Sequence, residues 1–216
     1  MEVHPPHSPI HSVKEFMVHL LAITIGLLIA LGLEASVEWL HHRSLVREAR
    51  ENMSQEIRDN QRNLATELKA LPGENQQLQG ILEMAGDAQH ARPAKQPNDF
   101  RWTVTRLSES AWNTAASSGA LAHMDYAEAR RYAQLYELQQ MFNANMDRYV
   151  DSRAEMYAFL NRTTLHDKPS QGGFELGEQV IAKELVMTNF LRELGTTLNA
   201  AYGRFLGETA KGRSPE

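Results

Sequence analysis

The sequence predicts an all-α protein: a single N-terminal transmembrane helix continuing into a long helix, followed by an antiparallel four- to five-helix bundle. Three observations carry this. Residues 17–33 (MVHLLAITIGLLIALGL) hold no formal charge and one histidine. No Pro or Gly lies between Ala35 and Leu71. The remainder alternates long amphipathic stretches with short Pro/Gly clusters, using only 8 Pro and 13 Gly in 216 residues, as a helical protein does.

Residues 1–16 read as a disordered Pro/His-rich tail. The prolines at 5, 6 and 9 prevent a regular helix from aligning His4, His7 and His11 as metal ligands. The span is assigned to 17–39, against about 20 residues needed to cross a bilayer. Trp39 and Arg43 mark its far edge, as aromatic and basic residues do at a membrane interface. A cleaved leader fits less well, because residues 1–16 carry two glutamates, three prolines and one lysine, with no A-x-A site after the apolar run.

One stripe of this helix carries Ala22, Gly26, Ala30, Glu34 and Glu38, each four residues apart. Its first three members form a small-xxx-small ladder, through which transmembrane helices approach closely. This is the expected association face. Glu34 and Glu38 fall at one membrane edge, in the headgroup layer, where a charge costs less than at the bilayer centre.

The bundle is assigned to 40–207, with helices at about 40–71, 74–89, 101–118, 126–163 and 175–207, and a frayed tail at 208–216. In the first of these, Val46, Ala49, Met53, Ile57, Leu64, Leu68 and Leu71, with Asn60 filling a gap, suggest an 11-residue period. Pro72-Gly73 is the expected stop, giving a helix over 17–71 of about 80 Å. Residues 90–99 read as a loop. Residues 100–105 alternate like a strand, but a lone strand has no partner, so a helix is expected to start near 100–108. Gly119 suits a left-handed helix stop, and Asp125 with Glu128 a capping box opening the next helix.

The composition narrows function by exclusion. A net charge of −5 argues against a nucleic-acid partner. Beyond residue 40 the chain holds 21 basic and 23 acidic residues, close to neutral. Without cysteine there is no disulfide, thiolate nucleophile or cysteine metal site. No hydrolase, nucleotide-binding, zinc-protease or calcium-loop motif is present. No catalytic, cofactor-binding or metal-binding residue is therefore assigned, and no cofactor is expected. Glu109 and Glu128 are a conceivable carboxylate pair across the Gly119 turn, with nothing in their spacing to favour it over capping. The small-residue segment 110–121, with Trp112, Ser118, Gly119, Tyr126 and Tyr132, is read first as close helix packing and second as a small polar ligand pocket.

Several of these motifs recur together elsewhere. Residues 25–31 (IGLLIAL), Trp39 shortly after, the long helix of 45–71, Ser110-Ala-Trp112, Ser118-Gly-Ala-Leu121 and the stretch 132–138 resemble a family of bacterial single-pass membrane proteins classed as a domain of unknown function. The resemblance implies an N-terminal anchor in the bacterial inner membrane, with a helical domain usually outside the cytoplasm. It implies no activity. The tail departs from the family, whose tails are basic before the span, whereas here only Lys14 is. The positive-inside count, Lys14 against Arg43, Arg47 and Arg50, points the other way, to a cytoplasmic domain.

The expected function is association: an oligomeric scaffold or an accessory subunit of a membrane complex, with the bilayer and either a second copy or another membrane protein as partners. The alternative is a membrane-tethered sensor or small-ligand-binding module signalling through a partner.

Overall fold

The computed structural model describes residues 13–88, 106–165 and 171–211. Residues 1–12, 89–105, 166–170 and 212–216 lie outside them, and with these most of the tail expected at 1–16, the loop expected at 90–99 and the last residues of the frayed end expected at 208–216. All the regular structure described is helical: α1 (Val13–Ala88), α2 (Ser110–Ser117), a 3-10 turn (Ala120–His123), α3 (Tyr126–Leu165) and α4 (Gln171–Lys211). The chain divides into two units, residues 1–48 and 49–216.

In the first unit α1 is helical from Val13, four residues before the expected start. Every side chain from 13 to 41 is exposed. The stretch reaches a mean hydropathy of 2.5 over 18 residues, none of it buried, and is long and apolar enough to cross a membrane. Its hydroxyls bond back to their own helix, Thr24 Oγ1 to the Leu20 carbonyl at 2.8 Å and Ser36 Oγ to the Gly32 carbonyl at 2.7 Å. Such back-bonding leaves no hydroxyl donor needing water.

The second unit is built on three long helices with the same seven-residue seam. In α1 the seam runs through buried Met53, Ile57, Asn60, Leu64, Glu67, Leu71, Glu74, Leu78 and Ile81, alternately four and three apart, with Ser54 and Glu56 buried beside it. In α3 they run Tyr132, Leu135, Gln139, Phe142, Met146, Tyr149, Arg153 and Met156. In α4 they run Ile181, Glu184, Thr188, Leu191, Gly195, Leu198, Tyr202 and Phe205. An average of 3.5 residues is the spacing of left-handed coiled-coil packing. The 11-residue period expected for α1 is replaced by this heptad. Glu67, not Leu68, holds the seam, and a pattern drawn through apolar residues alone steps past it.

The hydrogen bonds give the directions. Arg50–Glu128, Asn60–Gln139 and Arg153–Glu74 join α1 to α3 at separations of 78, 79 and 79 residues, so these helices run parallel. Tyr202–Gln139, Arg153–Glu184 and Lys183–Glu155 close up from 63 to 31 to 28 residues, so α4 runs antiparallel to α3. At Gly195 an added Cβ would stand 2.9 Å from Leu68 and 3.1 Å from Phe142, which makes it the point where α4 comes close to both neighbours.

The last two helices overrun their expected limits by a few residues, α3 reaching Leu165 and α4 running Gln171–Lys211 into the end expected to fray from 208, and two further boundaries differ by more. The stop at Pro72-Gly73 is absent, and the separate helix at 74–89 is part of α1, which passes through Pro72. Pro72 and Gly73 are exposed, while Leu71, Glu74, Leu78 and Ile81 keep the seam buried on either side. An interior proline costs about 3 kcal/mol, and burying each large aliphatic side chain returns about 1.5–3 kcal/mol. The helix expected over 101–118 is shortened to α2, because Arg106–Glu109 is not helical. By contrast, Gly119 has φ 79°, in the left-handed region as expected.

Because Pro72 is exposed and its helix is held from both sides, Pro72→Ala should raise the unfolding free energy, on the order of 1–3 kcal/mol. Thermal melts of the detergent-solubilised protein followed by circular dichroism measure it. A lower melting temperature would mean that Pro72 is needed where it stands.

Candidate functional site

The polar residues of the seam gather into two buried layers. The first seats the non-helical segment 106–109. Asn60 on α1 accepts from the Ser108 N–H at 2.9 Å and donates to the Ser108 carbonyl at 2.8 Å. Asn143 on α3 does the same for Leu107, at 3.0 and 2.9 Å. Two side-chain amides thus take the place of neighbouring strands for buried Leu107 and for Ser108, whose backbone groups are satisfied without a sheet. Gln139 adds a bond to the Ser108 carbonyl and accepts from Asn60 and from the Tyr202 hydroxyl, which brings in α4.

Glu56, one turn before Asn60, completes this layer. Its Oε2 accepts from Ser108 Oγ and Ser110 Oγ, both at 2.7 Å, and from the Ala111 N–H at 2.9 Å. Its Oε1 accepts from the Tyr136 hydroxyl at 2.8 Å. Ala111 lies in the first turn of α2, which has no side-chain cap of its own. A carboxylate on another helix therefore supplies the cap and faces the positive end of the helix dipole. Burial opposes ionisation of Glu56, but the bonds from Ala111, Ser108, Ser110 and Tyr136 outweigh it and hold the carboxyl below the usual range. Burial and the adjacent Glu56 carboxylate push the Tyr136 hydroxyl far above the usual tyrosine range.

The second layer lies two heptads along. Arg153 is fully buried. Its Nη2 donates to Glu74 Oε2 at 2.9 Å and its Nε to Glu184 Oε1 at 2.6 Å. The Tyr149 hydroxyl donates to Glu74 at 2.6 Å and lies against the same guanidinium. One guanidinium therefore joins all three helices. Removing one member of such a pair costs about 3–5 kcal/mol, because the partner charge is left buried.

The residues expected to form a packing site or pocket divide. Trp112 stacks on Tyr136 at 5.1 Å and 24°, and Tyr132 packs on Phe205 at 4.8 Å with its hydroxyl 3.3 Å from Ser54. Tyr126 is 81% exposed, and Ser118 is exposed with its hydroxyl turned back to the Ala115 carbonyl. Trp112 and Tyr132 thus serve packing, while Tyr126 and Ser118 lie at the surface. Glu109 and Glu128 do not pair either. Glu109 accepts from Asn143 and Gln140, while Glu128 holds Arg50 in a two-pronged bond at 2.7 and 2.6 Å. Asp125 accepts from the Glu128 N–H at 3.0 Å, the first half of the expected capping box. Among the described residues no cluster of three or more His, Asp or Glu has metal-binding geometry.

In the first unit Ala22, Gly26, Ala30, Glu34 and Glu38 are all exposed along their stripe. Nothing lies within 4 Å of a Cβ built on Gly26. At the far end Arg43 sits 5.2 Å from the Trp39 ring centre, and Glu38 lies 3.9 Å from His42.

No family model, curated protein or solved structure matches this chain.

Catalytic motifs do not mark the polar layers, but the heptad phase does: Asn60, Glu67 and Glu74 recur every seven residues, and Gln139 and Arg153 stand two heptads apart.

Glu56→Gln should lower stability at neutral pH by about 1.5–3 kcal/mol, the range for hydrogen bonds to a charged group. A depressed carboxyl stabilises the fold above its ordinary pKa and loses that contribution as pH falls through the depressed value. The melting-temperature gap between wild type and Glu56→Gln should therefore close on acidification. A gap independent of pH would show that the ionised form is not what α2 requires.

Proposed function

We propose that this chain is a single-pass protein of the bacterial inner membrane that acts by association, as an oligomeric scaffold or an accessory subunit of a membrane complex. The observation that carries the reading is the apolar, wholly exposed stretch of α1 with its hydroxyls bonded internally. Exposing that much apolar surface to water is unfavourable at roughly 25 cal/mol per Å². A bilayer removes the cost, and the Trp39–Arg43 stack suits its interface.

The Ala22–Gly26–Ala30 stripe supplies the contact. Open space above Gly26 lets a second helix approach to backbone distance, where dispersion and weak Cα–H bonds replace the absent hydrophobic drive. The bundle suits a structural part, since the hydrogen bonds of its two polar layers hold helices and the 106–109 segment in place. It is assigned to the periplasm, in keeping with the resemblance of the span and of segments 110–121 and 132–138 to the membrane-anchored family. The reading assigns no catalysis to it.

Gly26→Leu with Ala30→Leu should reduce the native mass of the detergent-extracted protein, or release a co-purifying chain, while the bundle keeps its helicity. Native mass spectrometry with identification of every bound chain reads this. A monomer free of other chains in the wild type would remove association from the account. The chain has no cysteine, so Ser117→Cys offers one exposed thiol. In intact spheroplasts it should react with a membrane-impermeant maleimide, and labelling only after lysis would place the bundle in the cytoplasm.

A further inference from the structure

The Glu74–Arg153–Glu184 layer sets two carboxylates against one guanidinium in the interior of the bundle. Glu184 and Arg153 are fully buried and Glu74 is 6% exposed. With all three ionised the layer carries one uncompensated negative charge, which is expensive where water is excluded. The two carboxyls are not equivalent. Glu74 Oε2 accepts from both Arg153 and Tyr149. Glu184 receives Arg153 on Oε1 alone, and its Oε2 is buried with no bonding partner.

From this asymmetry we infer that Glu184 is a proton-binding site, and that proton uptake there clasps the first part of α4 against α1 and α3. A proton on Oε2 brings the layer to neutrality and turns an orphan acceptor into a donor. Burial also pushes the Glu184 carboxyl above the usual range, against the opposing pull of Ser152 and Arg153. The remaining groups do not offset the charge. On α1, Glu67 and Glu74 are both acidic. On α3, Tyr149 and Tyr157 are held above the usual tyrosine range, largely by burial. Lys183 on α4 is exposed and engaged 2.6 Å from Glu155.

The clasp has a structural neighbour. Ile181, one turn before Glu184, packs with Leu78, Ile81 and Met156, and Val180 and Leu185 lie against the same cluster. Charging Glu184 therefore loosens the segment that closes this part of the bundle.

The sign follows from linkage. A carboxyl whose folded pKa is raised stabilises the closed form below its ordinary pKa, and that contribution is lost as pH rises through the raised value. Local opening of α4 should increase by up to about tenfold per pH unit within that window, then level off.

Hydrogen exchange of the full-length protein in detergent, corrected for intrinsic rates, tests this over residues 175–190 between about pH 5 and about pH 8. Wild type should lose protection as pH rises, and Glu184→Gln should hold it level. Equal pH dependence in the two proteins would overturn the proposal. If Glu184→Gln does not fold, infrared titration of wild type decides. A carboxylic-acid band gained well above the ordinary carboxylate range supports the site, and its absence overturns it.

Discussion

A buried polar group must find a partner in the fold, and in this protein that requirement selects one alignment of three helices. Apolar heptads alone pack almost as well after a slip of seven residues. With Asn60 and Glu74 in the α1 seam, Gln139 and Arg153 in α3, and Glu184 and Tyr202 in α4, a slip would strand several polar groups at once. Each stranded neutral group costs about 1–3 kcal/mol and a stranded charge more, which together approach the whole stability of a domain. The parallel run of α1 with α3 follows from the same bonds.

The upper layer does more than set register. It holds a non-helical piece of backbone, with Leu107 buried, against a helical protein. Leu107 and Ser108 have no strand beside them, yet each has its N–H and C=O bound by a single asparagine. Glu56 then starts α2 where the local sequence offers no cap. The short helix, the Gly119 turn and the Asp125 cap follow in order, and Trp112 on Tyr136 seals them to α3.

Much of this was legible in the sequence. The apolar stretch, the long helices, the left-handed Gly119 and the Asp125 cap each depend on local chemistry, and local patterns report local chemistry. Three features were not. α1 continues through Pro72 because residues on both sides are buried by other helices. The 106–109 segment is non-helical because Asn60 and Asn143 reach it from 48 and 36 residues away. Arg153 and Glu184 look like surface residues in any short window, and only the heptad phase places them inside. The stripe Ala22–Gly26–Ala30 is legible because its spacing of four is a local pattern.

The claim that polar layers choose the alignment is tested most directly by removing them together. Asn60→Leu, Glu74→Leu, Gln139→Leu, Arg153→Met and Glu184→Leu replace the amide and charged heptad residues of both layers with apolar ones. In this cysteine-free chain, spin labels at exposed Arg58 and Glu137 report the distance between α1 and α3 by pulsed electron resonance. The account predicts one narrow distance in the parent protein. In the variant it predicts a broadened or multiple distribution with helicity retained. A variant keeping the single narrow distance of its parent would contradict it, and would leave shape and loops as the source of the alignment.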